Sequence, residues 1–238
     1  MQPAATSSTV RVRGDLDPAL SRWQWLFKWF LAIPHYIVLL FLHIAYFVVT
    51  VIAFFAILFT GKYPRALFDF NVGVMRWRWR VMFYALYALG TDKYPPFSLQ
   101  PNPEYPADLE VDYPEHLHRG LVLVKWWLLA IPHYLVLIVF YGGVGRVARS
   151  VHESSAADEH WMGGYGPPPL ICVLLLIAVV ALLFTAHYPK GLYDFVIGIN
   201  RWAIRVRVYV SLMRDDYPPF RLDMGSREVV APAASESS

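Results

Sequence analysis

The chain has 238 residues, of which 57% are hydrophobic and only 16% charged, with a net charge of +3 and a mean hydropathy of +0.39. Soluble domains carry about 25% charged residues, so a soluble globular protein is disfavoured, and so small a charge excess leaves no electrostatic footprint for nucleic acid. The single cysteine, Cys172, excludes an intramolecular disulfide and leaves a cysteine-ligated zinc site without its ligand set.

In chain order, residues 1–9 are rich in Ala, Ser and polar groups and read as a disordered tail. No basic segment followed by an apolar one opens the chain, so no cleavable signal peptide is expected. Val10–Arg13 alternates as a short strand does. Trp23–Thr60 is apolar apart from Lys28 and two histidines. It reads either as one very long helix or as a hairpin turning near His43–Tyr46. A third helix, Arg65–Leu89, follows a Tyr-Pro, and proline suits a first helical turn. Residues 100–108 read as a linker. Asp108–Val111 reads as a second short strand, and the PPFSL and PPFRL segments ending each half read the same way. Leu121–Tyr141 is long enough to span a bilayer, which takes about 20 residues. A polar segment, 142–169, carries GGVG, HESSAADEH and GGYGPPP, which are loop and turn materials. Leu170–Thr185, a last helix Lys190–Met213 and a polar tail, 223–238, complete the chain.

These elements are two copies of one unit. LAIPHY occurs at Leu31–Tyr36 and Leu129–Tyr134, and LFTGKYPRALFDF at Leu58–Phe70 matches LFTAHYPKGLYDF at Leu183–Phe195. Gly73, Arg76, Trp77, Arg80, Val81 and Tyr84 match Gly198, Arg201, Trp202, Arg205, Val206 and Tyr209. DKYPPFSL from Asp92 matches DDYPPFRL from Asp215, and Asp15, Leu20 and Arg22 match Asp112, Leu117 and Arg119. The copies span about 10–99 and 109–222. The offset is 98 at Pro34/Pro132 and 125 at Pro64/Pro189, so the second copy gains the 142–169 insertion between these motifs.

Over both copies the AIPHY, YPRxLFDF, RWxxRV and DxYPPFSL motifs resemble a bacterial membrane-protein family classed as a domain of unknown function. The resemblance implies membrane location and supplies no reaction, substrate or catalytic residue. The expected fold is an all-α membrane protein of two tandem repeats. Each repeat is a transmembrane helical hairpin plus an amphipathic interfacial helix, with short extramembrane β segments. Two hairpins leave all but two of the 21 Lys and Arg on one side, which the positive-inside rule makes cytoplasmic. The expected location is therefore the cell membrane, multi-pass, with both termini cytoplasmic.

Projected at 100° per residue, Asp69, Gly73, Arg76, Arg80 and Tyr84 fall within about 80° of one another. Asp194, Gly198, Arg201, Arg205 and Tyr209 repeat this stripe, whereas Arg78 and Arg207 lie off it and are unmatched. One reading is structural: Asp–Arg ion pairs, with glycine admitting a neighbouring helix. The other is an anionic site gripping lipid headgroups. His35 and His133 recur in AIPHY and would suit haem or a metal, but the rest of a ligand set is missing. Glu153, Asp158 and Glu159 with His152 and His160 read as a solvated loop.

The function expected from these residues is non-enzymatic: a scaffold, accessory or anionic-lipid-binding module, with no cofactor. Membrane lipids are the expected partners, with a second membrane protein as a further one and no nucleic acid. A small transporter or permease component is the alternative, distinguished by a water-filled passage reaching the arginine stripe. A haem-binding redox protein is the third and would be coloured.

Overall fold

The computed structural model describes residues 9–142 and 169–225. The expectations for residues 1–8, for most of the insertion with its His152–His160 cluster, and for the tail beyond 225 lie outside the described residues.

Strand β1 (Val10–Gly14) pairs antiparallel with β2 (Ala107–Val111), with Val12 opposite Leu109 at the centre. The two opening strands do pair, each with the strand of the other copy, and the supposed linker already contributes Ala107 to β2. The PPFSL and PPFRL segments are not strands. Their prolines lack the N–H that a ladder needs, and they fold into turns closed by Ser98 N–H to Pro96 O (3.0 Å) and Arg221 N–H to Pro219 O (2.9 Å).

In the first copy, α1 (Trp25–Leu31) meets α2 (Ile33–Thr60) at Ala32, where Pro34 in the first turn of α2 interrupts the backbone ladder. Helix α2 passes unbroken through His43–Tyr46, so the expected turn does not form. That stretch holds no glycine or proline to break the helix. Gly61, at φ +72°, ends α2 in the left-handed conformation, and α3 (Arg65–Ala85) runs back along it. Contacts of Thr50 with Asn71 and of Tyr46 with Met75 mark the antiparallel direction.

In the second copy come α4 (Leu121–Val124), a π-helical turn (Lys125–Leu129), α5 (Ile131–Tyr141), α6 (Leu170–Thr185) and α7 (Lys190–Val210). Here too the expected hairpin is absent. Along α5, Tyr134 and Tyr141 sit beside the far end and the middle of α7, and α6 leads into α7 through a short turn. Both α5 and α6 therefore run antiparallel to α7 and parallel to each other. Together they replace α2: buried Ala178 and Leu182 of α6 correspond to buried Ala53 and Ile57. A Cβ on Gly142 would lie 2.3 Å from Pro169 Cγ, so the chain leaves and rejoins this interrupted helix at one place.

Three layers result. The sheet and the turns after α3 and α7 form one layer, α3 and α7 the middle, and α2 with α5–α6 the third. The core joins all three, from Val12 and Leu109 through Trp79 and Ile197 to Ile57 and Ala178. The copies hold each other reciprocally. Leu117 N–H bonds Gly61 O, the Tyr113 hydroxyl bonds Tyr63 O, and Tyr193 of the second copy bonds Gly14 O of the first. An approximate twofold axis relates them, running through the middle of the β1–β2 pair. The third layer turns its apolar side outward: Phe41, Phe47, Phe59, Leu135, Leu176 and Phe184 are all more than half exposed. Cys172 of α6 is exposed as well, so it is no core thiol.

Candidate functional site

The arginine stripe is buried against the sheet layer. Arg76 Nε donates to Leu109 O (2.9 Å) and Nη1 to Leu99 O (2.8 Å), and its Nε lies 3.0 Å from Asp108 Oδ1. Arg80, fully buried, donates to Gln100 O (2.9 Å), Ser98 O (3.3 Å), Ala107 O (3.4 Å) and Asp108 Oδ1 (3.2 Å). Burial pushes both guanidinium pKa values down, and the Asp108 charge opposes it. The second copy repeats the plan. Arg201 donates to Val12 O (3.1 Å), Gly225 O (3.0 Å) and Asp223 O, while Arg205 pairs with the Asp223 carboxylate. Each arginine pair thus grips the strand or the closing turn beside it, and Arg76 and Arg201 each hold the strand of the opposite copy. The predicted tail accordingly begins after 225, since residues 223–225 are engaged.

The carboxylates on the stripe arginines are Asp108 and Asp223. Asp69 instead pairs with exposed Arg65, Nε to Oδ2 3.1 Å, and Asp194 sits half-buried beside Tyr193. Sequence projection placed Asp69 and Asp194 on the same helices as the cations, but about two turns before Arg76 and Arg201. Gly73 and Gly198 do permit a close approach, by a turn rather than a helix. A Cβ on Gly73 would lie 2.8 Å from Leu99 Cβ and 3.1 Å from Leu99 O, and one on Gly198 3.3 Å from Leu222 Cβ. Gly73→Ala is therefore expected to lower stability by about 1–3 kcal/mol through overpacking, and Gly198→Ala by clearly less, measured as thermal unfolding of the solubilised protein. Equal effects would contradict this reading of the two turns.

Tyr84 and Tyr209 belong to a second matched group. Lys28 Nζ lies 2.7 Å from Asp92 Oδ1 and 5.4 Å from the Tyr84 ring centre; Lys125 Nζ lies 2.7 Å from Asp215 Oδ1 and 5.5 Å from that of Tyr209. Lys28 and Lys125 escape motif matching because Lys28 stands six positions before Pro34 and Lys125 seven before Pro132. The π turn absorbs the extra residue and keeps the lysine in place. His35 and His133 are fully buried and stack on Phe97 (3.9 Å) and Phe220 (4.2 Å), with Tyr94 and Trp77 or Tyr217 and Trp202 closing around them. The YPPF segment thus packs on the imidazole face, and His35 Nδ1 accepts from Trp77 Nε1–H at 3.1 Å. Among the described residues no group of three or more His, Cys, Asp or Glu is placed to hold a metal ion.

The motifs that recur in the sequence are therefore one packing unit used twice. Residues 22–98 and 169–221, more than half of the chain, match the family model described as Domain of unknown function (DUF4389). The chain belongs to this family. No curated protein and no solved structure matches it. The DUF4389 match takes in the LAIPHY helix, the arginine helix and the YPPF turn of the first copy, and the α6–α7 half of the second.

One site of this DUF4389 protein was not legible in its motifs. Arg78 of α3 and Arg207 of α7 line a cavity of about 470 Å³ between the copies, together with Tyr46, Tyr141, Leu137 and Asn200. Among the described residues neither guanidinium has a hydrogen-bond or ion-pair partner. Burial, and then the Arg207 charge, push Arg78 down to about 10. Arg78 corresponds to Ala203 and Arg207 to Met82, so comparing copies discards both. The usable signal is that positions 78 and 82 lie one turn apart on the same face, so each copy supplies one cation to one shared surface.

Proposed function

We propose that the protein is a non-enzymatic module of the bacterial cell membrane, a scaffold or accessory component that binds acidic lipids and lies within one leaflet. The apolar outer layer carries this reading. Ile33–Thr60 and Leu121–Tyr141 are long and apolar enough to cross a membrane, and only 11% of the most apolar part of α2 is buried. Two arguments favour helices lying in the membrane plane. Helix α2 alone, with 28 residues, is about 42 Å long, well beyond a hydrocarbon core of about 30 Å. Moreover, Val12 faces Leu109, its counterpart in the other copy, so the approximate twofold axis passes through the sheet, with α3 and α7 and then the long helices layered behind it. If those helices crossed the bilayer, the sheet would sit at mid-depth, with Arg11, Glu110 and Asp112 in hydrocarbon at high cost. With the axis along the membrane normal, the same charges face water and α2 with α5–α6 lie among acyl chains. The excess of basic residues favours the cytoplasmic side for the sheet layer.

Cysteine labelling tests the orientation. In a Cys172→Ser background, exposed Arg22 and Lys62 flank the two ends of the α1–α2 run, and Glu104 marks the sheet layer. Single cysteines at all three positions are expected to react from the cytoplasmic side in right-side-out and inverted vesicles compared. Reaction of positions 22 and 62 from opposite sides would replace this arrangement with a transmembrane crossing.

A further inference from the structure

We propose that the cavity between α3 and α7 binds the phosphate group of an acidic phospholipid, with Arg78 and Arg207 as its two cationic arms. The cavity lies where the two copies meet, and its wall combines two guanidinium groups with the Tyr46 and Tyr141 rings and the aliphatic side of Leu137. Those last three come from α2 and α5, the helices whose outer faces are apolar and exposed. An anion bound here therefore has hydrocarbon-like surface on the side where an acyl chain would continue. This mix of paired charge and apolar lining is what a phospholipid needs and what a free ion does not.

The electrostatics point the same way. The fold satisfies its other buried arginines on α3 and α7: Arg76, Arg80, Arg201 and Arg205 all hold carbonyls or carboxylates. Arg78 and Arg207 are left facing each other's charge in a confined space, where repulsion is weakly screened. The polar side chains lining the cavity with them include Tyr46, Tyr87, Tyr141 and Asn200, with no carboxylate among the lining residues, and His43 lies within reach of both charges. A phosphate supplies the missing negative charge and takes paired N–H donors from a planar guanidinium. Tyr141 and Asn200 are already tied together, hydroxyl to Oδ1 at 3.1 Å, which fixes one wall of the cavity. Tyr46 is likewise tied to Ser211.

The inference rests on the membrane reading for the source of its ligand, and its test reads binding separately from membrane association. The full chain in neutral detergent is titrated with short-chain phosphatidylglycerol, phosphatidylcholine and inorganic phosphate, and bound species are counted by native mass spectrometry. The variants are Arg78→Ala and Arg207→Met, each installing the residue that the other copy carries at the matched position, and so retaining a packing that the fold already uses. Phosphatidylglycerol is expected to bind wild type at one site, to weaken about tenfold with either substitution, and to be lost in the double variant, while phosphatidylcholine and inorganic phosphate bind no better to wild type than to the double variant. Unchanged phosphatidylglycerol binding in the double variant overturns the site. Inorganic phosphate competing as well as the lipid overturns the lipid assignment and leaves a phosphate site. Should Arg78→Ala unfold, Arg78→Gln keeps the side-chain length and reads the same loss. Recovery of wild type in the soluble fraction of cells would instead sink the membrane reading, whatever the titration gives.

Discussion

Arg80→Leu is expected to cost about 3–5 kcal/mol, enough to remove most folded protein from a chain of ordinary stability. The side chain is fully buried and donates to three backbone carbonyls and to Asp108. Leucine fills part of the volume but leaves those carbonyls without donors, and Arg76 alone must then neutralise Asp108. Arg80→Lys is expected to recover little of the loss. A single ammonium cannot reach Ser98, Gln100 and Ala107 together as a planar guanidinium does. Because these acceptors belong to the closing turn of one copy and the strand of the other, both should loosen at once. Amide exchange would show it as joint loss of protection over 98–111, including the β1–β2 ladder. Wild-type stability with an intact ladder would mean that the stripe is an inherited pattern with no present role.

The repeat, the two short strands and the helices at 65 and 190 were legible because each follows from local pattern. Matched motifs fix equivalence, alternation fixes strands, and a Tyr-Pro opens each arginine helix. What was not legible depends on how the copies meet. Loop chemistry at 142–169 signals an interruption and not its direction, and the helices flanking it continue one line without reversing. Helix direction is set by packing against α7, which no local signal reports. The partners of the stripe arginines were equally out of reach. Asp108 and Asp223 lie on a strand and a turn whose exchange between copies appears only in three dimensions. The Lys28 and Lys125 match was hidden by one residue, which the π turn takes up. Arg78 and Arg207 break the internal symmetry, and a site shared across an approximate twofold has no reason to respect it.

Lys125→Met is the second large effect expected, at about 3–5 kcal/mol, because it strands a carboxylate. Lys125 is fully buried, and its ammonium meets Asp215 Oδ1 at 2.7 Å and Arg214 O at 3.1 Å. Asp215 is fixed further by the His118 backbone N–H, at 2.6 Å from Oδ2. With the lysine gone, Asp215 keeps that bond but loses its counter-charge. Lys125→Met combined with Asp215→Leu is expected to recover a good part of the loss, since removing both ends of a buried pair leaves no orphaned charge. Equal destabilisation in the single and double variants would show that lysine packing, and not the pair, carries the effect. The pair also predicts a pH dependence. Burial pushes the Asp215 pKa up, but hydrogen bonds from Lys125 and His118 and the lysine charge outweigh it and hold the carboxyl below its ordinary value of 3.8. A carboxylate depressed in the folded state contributes its full stability above the unfolded pKa and loses it as pH falls through the folded one. The difference in stability between wild type and the Lys125→Met, Asp215→Leu variant should therefore be flat near neutral pH and shrink below the ordinary carboxylate range. A gap that stays constant down to the acid limit would show that the ion pair is not what sets it.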